Sequence, residues 1–551
     1  MNKLFTLLIF ASFFLSLDSN AQTRYLDEVF DDVDVQMNVI YGANTTVLPV
    51  LLGATPALRP LNMNVLTPAG DTETNRPMVI MLHTGNFLPQ YLNGAINGTE
   101  NDAYVVSIAT RLAKMGYVVG LADYRKGWNP TGDQEARVNT LINAAYRGVQ
   151  DANTCARYLR KTVDIGGNPF GIDPEKIVLW GVGTGAYVSY GAGTIDQYLD
   201  VVLDKFIGSD IDGDGNPDPM VIPVIHGDPF ATTLGVNPFT QDTLCFPNHA
   251  ETDMDGNLLY SSDFQLVVAM GGAIGDTSWI DANDPPMISY HVPTDPFAPY
   301  DQGILTVPTT GDLIVEVQGA FAVQNKLAEL GNNDVFNSGI YNDSYTDAAQ
   351  SRNNGSSGLF PMPRPSWDLT DNGMDDPEPV EASPWEFWDP VAYATAPLGQ
   401  VTLDGAGGPC EGIPIEFCNW DIISRGSNPD MTMDKAIAYQ DTIVQYFAPR
   451  ACLALNLPDC VSLFSDTEDV IKDQNLVKIS PNPVSNRLQI NSASDKIQKV
   501  DILDISGRLI MQKRDVNDTS LTIEGLDNLT GIHFIKTYFE NGVLTKKIIF
   551  Q

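Results

Sequence analysis

Between residues 76 and 185 the chain alternates short, fully apolar runs with amphipathic stretches, and this alternation restricts the fold more than any other feature. Arg76 to His83 (RPMVIMLH) reads as a buried strand, and Tyr117 to Tyr124 (YVVGLADY) as a second. Between them Val105 to Met115 carries apolar residues at Val105, Ile108, Ala109 and Leu112, a helical period. A long helix around Leu141 to Lys161 follows, and then a strand, Ile177 to Trp180, that runs straight into Gly181-Val182-Gly183-Thr184-Gly185. Strand, helix, strand, helix, strand implies right-handed crossovers and a mostly parallel, doubly wound α/β sheet with helices on both faces. Phe264 to Met270 and Met287 to His291 extend the same sheet. The stretches 200–262 and 301–430 are rich in Pro, Gly, Asp and Asn and read as long irregular insertions, lengths typical of lids and binding surfaces.

The two ends differ from this body. Residues 1–21 pair Lys3 with an apolar run from Leu4 to Leu17 and small residues Ser19 and Ala21 before a cleavage point, the pattern of a signal peptide, with the mature chain starting near Gln22. The apolar run is too short for a bilayer, which needs roughly 20 residues, so a transmembrane anchor is the poorer reading. No other stretch is long and apolar enough to span, so no transmembrane segment is expected in the mature chain. Residues 461–475 (VSLFSDTEDVIKDQN) read as a linker. From 476 to 551, LQINSA, KVDILD, GRLIMQK, SLTIEGL, IHFIKTYF and TKKIIF alternate around Gly, Asn and Asp turns, the spacing of a small all-β sandwich.

Charge separates the parts further. The whole chain has 32 Lys plus Arg against 69 Asp plus Glu, a net charge of −37, whereas residues 476–551 have 10 against 8, a net +2. So acidic a body repels phosphate backbones and anionic headgroups and attracts cations, which argues against a nucleic-acid partner. The six cysteines, Cys155, Cys245, Cys410, Cys418, Cys452 and Cys460, include no C-x-x-C pair, and in an exported chain they read as disulfides. Short loops suggest Cys410 with Cys418 and Cys452 with Cys460, among 15 ways of pairing six.

The C-terminal segment resembles, end to end, the sorting domain of type IX secretion cargo. The matching residues are Pro481-Asn482-Pro483, Asp504-Ile505-Ser506-Gly507-Arg508, Leu526 and Leu529 before Gly531, and Lys546-Lys547-Ile548-Ile549. The resemblance implies a transport signal read by the type IX machinery of the outer membrane through residues 476–551, and a secreted or cell-surface destination reached through the periplasm.

The body, over most of residues 35–450, resembles secreted carboxylesterases of the α/β-hydrolase superfamily. His83-Thr84-Gly85-Asn86-Phe87 stands where the family has a His-Gly-Gly-Gly-Phe loop, and Gly116 to Val119 with Asp123-Tyr124-Arg125 matches its next strand. Gln150-Asp151-Ala152, Arg157 to Arg160 and Gly171 to Ile177 match the helix and turn that lead to the nucleophile elbow, and Asp295 to Tyr300 falls where the family carries its acid.

Acyl transfer on such a fold needs a nucleophile in a G-x-S-x-G elbow, a histidine to take its proton and a carboxylate to orient that histidine. Here both flanking glycines of the elbow remain, but the nucleophile position is Gly183, which has no side chain. The family's histidine follows the acid, yet of His83, His226, His249, His291 and His533 only His533 follows Asp295, and it lies in the C-terminal segment. Asp295 is thus a remnant acid. The oxyanion hole is built from backbone N–H groups, so Gly85, Asn86 and Thr184 still offer donors to a carbonyl or carboxylate.

A second constellation, Asp210, Asp212, Asp214, Asn216 and Asp218, sets oxygen ligands at every other residue around Gly213 and Gly215. Calcium takes six to eight oxygens at about 2.3–2.6 Å, and this spacing converges them, with a solvated Asp/Asn turn as the alternative. Asp253 to Asn257 and Asp371 to Asp376 are weaker echoes, and Trp367 and Trp385-Glu386-Phe387-Trp388 an aromatic cluster that reads as core or lid anchor.

Three readings follow. The first is an exported α/β-hydrolase-fold protein without catalysis, binding a small-molecule or surface ligand. The second is a working carboxylesterase-like hydrolase using Thr184, the only hydroxyl of the elbow, with His226 or His249 folded over it as base. The third is a structural surface protein.

Overall fold

In a computed structural model, residues 22–93, 95–210, 215–295, 297–306, 313–362, 390–395, 418–425, 432–464, 476–503, 509–514, 516–539 and 542–551 are described. The chain divides into two compact units, Met1–Phe464 and Ser465–Gln551. Residues 1–21, Trp367, Trp385 to Trp388, Asp371 to Asp376 and Cys410 lie outside the described residues.

The first unit is organised by an eight-stranded sheet. Its strands are β1 (Val33–Thr46), β2 (Ala57–Pro68), β3 (Arg76–Leu82), β4 (Val118–Ala122), β5 (Ile172–Val182), β6 (Leu266–Met270), β7 (Met287–His291) and β8 (Leu359–Pro361), in the order β1-β2-β4-β3-β5-β6-β7-β8. From β4 to β8 every pairing is parallel, whereas the β1–β2 hairpin joins the β4 edge antiparallel. The strand, helix, strand alternation thus folds as expected, and the hairpin adds a two-strand extension outside that pattern.

Strands buried on both faces need helices on both faces, and the residues of each strand divide accordingly. Val79, Met81, Val119, Leu121, Val178 and Trp180 point into one core with helix α1 (Ala103–Lys114). The opposite alternates, Met78, Ile80, Leu82, Leu179 and Val267, pack under α2 (Gln134–Asp164), α3 (Thr184–Ala192) and α4 (Ala320–Leu330). Helix α5 (Met433–Ala454) closes the first core through Ile443, Val444 and Phe447. Among the described residues no helix is long and apolar enough to cross a membrane.

Two boundaries differ from the sequence reading. The stretch 301–430 is not wholly irregular: it contains a hairpin (Gln302–Thr306 with Leu313–Gly319), helix α4 and the last strand of the main sheet, β8. Residues 461–464, read from the sequence as the start of the linker, form a helical turn tied to the body. The Cys452–Cys460 disulfide anchors that turn, Ile340 N donates to Phe464 O (2.8 Å), and Phe464 packs on the core. Cys155 and Cys245 are free and buried.

The second unit is all antiparallel. A three-stranded sheet, Val477–Ser480, Arg487–Ser492 and Ser520–Glu524, accompanies a four-stranded sheet, Leu509–Lys513, Lys499–Leu503, Gly531–Phe539 and Gly542–Phe550. Leu488, Ile490, Val500, Ile502, Ile535 and Ile548 share one core. All six strands read from alternation are present.

Candidate functional site

Strand β5 ends at Val182 and α3 starts at Thr184, leaving one residue to turn the chain. Gly183 makes that turn at φ 55°, ψ −116°, a conformation that strains any residue with a Cβ. On the neighbouring strand, β3 runs into a loop in which Gly85, Asn86 and Phe87 all have positive φ (134°, 55° and 52°). Trp128 Nε1 donates to Asn86 O (2.7 Å) and Gly127 N to Phe87 O (2.7 Å), which fixes the loop. Asn86 and Thr184 line one cavity, and neither backbone N–H has an acceptor among the described residues. Two of the three residues expected to supply oxyanion donors, Asn86 and Thr184, thus line the cavity, and Gly85 does not.

The hydroxyl expected of a nucleophile is replaced in an unanticipated way. A Cβ built on Gly183 would lie 2.8 Å from Thr84 Cβ and still nearer Thr84 Oγ1, so the Thr84 side chain fills the space an elbow side chain would take. Thr184, the elbow's own hydroxyl, lies 3.0 Å from Tyr124 Oη, and the Tyr124 hydroxyl donates to His83 O (2.9 Å). A phenol has one proton, so Thr184 must donate to Tyr124. Burial pushes that phenol well above its ordinary range, so it is held neutral and is a poor base.

Asp295 lies in the same cavity, just past β7, with its side chain 3 % exposed. Its Oδ1 accepts from Phe297 N (2.7 Å) and Ala298 N (3.1 Å). Burial pushes the carboxyl up to about 7 in spite of those bonds. Sequence order left Asp295 without a histidine, but the structure sets His291 Nε2 3.6 Å from Asp295 Oδ2, four residues upstream. That imidazole is on the wrong side of the acid: it does not line the cavity, its Nε2 is 3.0 Å from Ala298 O, and burial pushes it down to about 4.

None of the five histidines lines the cavity. His226 Nδ1 accepts from Ile222 N (3.0 Å), and His249 Nε2 is 2.8 Å from Tyr41 O. His83 lies behind the loop, its Nε2 3.2 Å from Asp123 Oδ1, with Lys126 Nζ 2.8 Å from the same oxygen. Burial raises the Asp123 carboxyl, but His83 and Lys126 outweigh it and hold it well below the usual range. His83, Glu100 and Asp123 bring ligand atoms within 4.8 Å of one another, as a metal site does. The Lys126 ammonium already supplies the positive charge there.

The cavity has a volume of about 220 Å³ and mostly apolar walls. Leu305, Val315 and Val317 of the 302–319 hairpin roof it, and the 200–262 insertion adds Val201, Phe206 and Val221. Both stretches thus contribute residues to the cavity wall. Sequence reasoning missed Thr84, Tyr124 and Tyr187; of these only Thr84 carried a signal, a side chain where the resembled loop has glycine.

Of the proposed calcium ligands, Asp212 and Asp214 lie outside the described residues. Asp210 Oδ2 accepts from Gly215 N (2.8 Å), and Gly208 N donates to Asp218 O (2.8 Å), closing the ends of the loop. Asn216 also lies in it.

Residues 63–307 match the family model BD-FAE, and residues 465–550 match a domain of unknown function, DUF8694. No curated protein matches the chain. Among solved structures it is similar to Thermogutta terrifontis esterase 2 phosphorylated by paraoxon, at 16 % identity over 49 % of this chain and 74 % of that one, with a TM-score of 0.27. It is also similar to MGS-M1, an alpha/beta hydrolase enzyme from a Medee basin deep-sea metagenome library, at 12 % identity over 49 % and 73 % of the chains, with a TM-score of 0.25. The strand order, the elbow at Gly183 and the match over residues 63–307 give the body of this chain an α/β-hydrolase, carboxylesterase-like fold, followed by an all-β C-terminal unit.

Proposed function

We propose that this is an exported α/β-hydrolase-fold protein that binds a small ligand in the cavity above the elbow and does not hydrolyse it. The observation that carries the reading is the composition of the cavity wall: Asn86, Thr184 and Asp295 are present, Gly183 offers no nucleophile, and no histidine lines it. A hydroxyl attacks a carbonyl only when a base takes its proton, and among the described residues the Thr184 hydroxyl is hydrogen-bonded to a neutral phenol. The same contact weighs against a Thr184-based hydrolase, since His226 and His249 are engaged elsewhere. A purely structural role leaves a mostly apolar cavity beside the elbow without a purpose.

The test is turnover of p-nitrophenyl acetate by the full chain. Removing triad members leaves about 10³ to 10⁴ over water, so slow hydrolysis is expected and uninformative. Turnover on the order of 1 s⁻¹ or faster that vanishes in Thr184→Ala would overturn the reading.

For the rest of the chain we propose that residues 1–21 direct export, that residues 476–551 are the signal read by a type IX machinery, and that Asp210 to Asp218 hold a structural calcium. The support is the resemblance of the ends to such signals and the spacing of the acidic residues.

A further inference from the structure

Among the polar groups that line this mostly apolar cavity are Asp295 and Tyr187. Asp295 uses Oδ1 for two backbone N–H groups, but Oδ2 has only His291 Nε2 at 3.6 Å, beyond a hydrogen bond. Tyr187, on α3, has a buried hydroxyl with no hydrogen-bond partner, lines the same cavity and lies close enough to sense the Asp295 charge. An unmade bond of this kind costs about 1–3 kcal/mol, which a ligand that supplies the missing partner would recover.

The missing partner is a cation. Elsewhere in the body Asp151 has Arg125 at 2.9 Å, Asp123 has Lys126 at 2.8 Å, and Asp71 has Arg24 and Arg76, whereas the buried Asp102 and Asp284 accept from backbone N–H groups instead. Among the described residues that line the cavity there is no Lys, Arg or His, so nothing in the wall can neutralise Asp295. An anionic ligand would set a second negative charge beside it, inside a chain of net charge −37. A neutral alcohol would satisfy one hydrogen bond and leave the charge uncompensated.

We infer that the cavity takes a small apolar amine, its ammonium donating to Asp295 Oδ2 and Tyr187 Oη and its hydrocarbon part packed among Phe206, Trp279, Val315 and Val317. The inference rests on the ligand-binding reading above and adds the chemical class. The groups facing Asp295 are Tyr187 from α3 and His291 from β7. Burial holds the first neutral by raising its phenol and the second by pushing its imidazole down to about 4, so Asp295 is the group that titrates near neutrality.

The test is calorimetric titration of the full chain with phenethylamine, 2-phenylethanol and phenylacetate. At pH 8 the amine is expected to bind at least about tenfold more tightly than the alcohol. Lowering the pH to 5.5 leaves only a few per cent of Asp295 ionised and is expected to weaken the amine by about 30-fold while sparing the alcohol. Asp295→Asn abolishes the preference, and Tyr187→Phe reduces it several-fold. Equal or tighter binding of the alcohol or phenylacetate at pH 8, an amine affinity indifferent to pH, or no binding of any probe would overturn the amine assignment. Equal or tighter binding of phenylacetate or the alcohol would do so while leaving the ligand-binding reading intact, whereas fast Thr184-dependent ester turnover would remove that reading itself.

Discussion

The side chain of Thr84 occupies the space that any side chain at Gly183 would need. The Cβ of Thr84 stands 2.8 Å from where a Cβ on Gly183 would be, so rotation of the Thr84 hydroxyl alone cannot make room. With Thr84 in the loop, only glycine fits at position 183 without displacement.

That relationship predicts strong coupling. Gly183→Ala is expected to destabilise the body by about 3 kcal/mol, from overpacking and from the Cβ at positive φ. In a Thr84→Gly background only the backbone penalty remains, and the cost should fall to about 1–2 kcal/mol. Urea unfolding of the four proteins gives the coupling, and additive effects would show that the two positions are independent. Thr84→Gly/Gly183→Ser is still expected to show no ordinary esterase turnover, because no imidazole lines the cavity.

Asp295 predicts a pH dependence with a definite sign. Its carboxyl is raised from 3.8 to about 7 by burial, so ionisation opposes folding. The stability it contributes is complete below its unfolded pKa and is lost as pH rises toward 7. Asp295→Asn cannot ionise, so the variant should gain on the parent between pH 5.5 and 8.5, by at most about 2 kcal/mol. Unfolding at the two pH values measures this, and a difference that does not change with pH counts against a raised Asp295.

The Arg125–Asp151 pair lies wholly buried beneath the β1–β2 hairpin. Arg125 Nε meets Asp151 Oδ1 at 2.9 Å, Arg125 N donates to Asp151 Oδ2 (2.7 Å), and Nη2 donates to Gln150 Oε1 (2.8 Å). Removing one partner strands a charge, so Asp151→Ala should cost about 3–5 kcal/mol. A loss under about 1 kcal/mol in thermal or urea unfolding would mean that water reaches the site.

If calcium binds at Asp210 to Asp218, the parent protein melts higher in calcium than in chelator, by mass action on the native state. Asp212→Ala or Asp214→Ala should remove that difference and leave the melting temperature in chelator unchanged. Equal melting of the parent in both conditions excludes a stabilising ion.

For the ends, intact mass of the extracellular protein is the measurement. The expected species starts near Gln22 and lacks the C-terminal segment. Molecules that still carry Pro481 to Gln551 would contradict its assignment as a removed sorting signal.

Much of this protein was legible without coordinates, for reasons that are local. A strand such as Arg76–Leu82 is apolar at successive positions because both faces are covered, and its neighbours in sequence show the helices that cover them. Six of the seven strands of the second unit follow from alternation and turn residues a few positions apart, and the short strand Val477–Ser480 was not read from them. The loss of the nucleophile at Gly183 and the scarcity of histidines are matters of residue identity, which no fold can change.

What tertiary structure alone decided are meetings between residues far apart in the chain. The loop of Thr84 meets the elbow at Gly183 because β3 and β5 are adjacent and parallel, with Leu82 in register with Gly181. Asp295 and Tyr187 come to line one cavity, whereas His291, four residues before Asp295, does not. The 302–319 hairpin becomes a roof by packing, and no period in its sequence says over what. Periodicity reports which face of an element is buried; which partner is buried against it depends on strand order and register, and these emerge only when the whole sheet assembles.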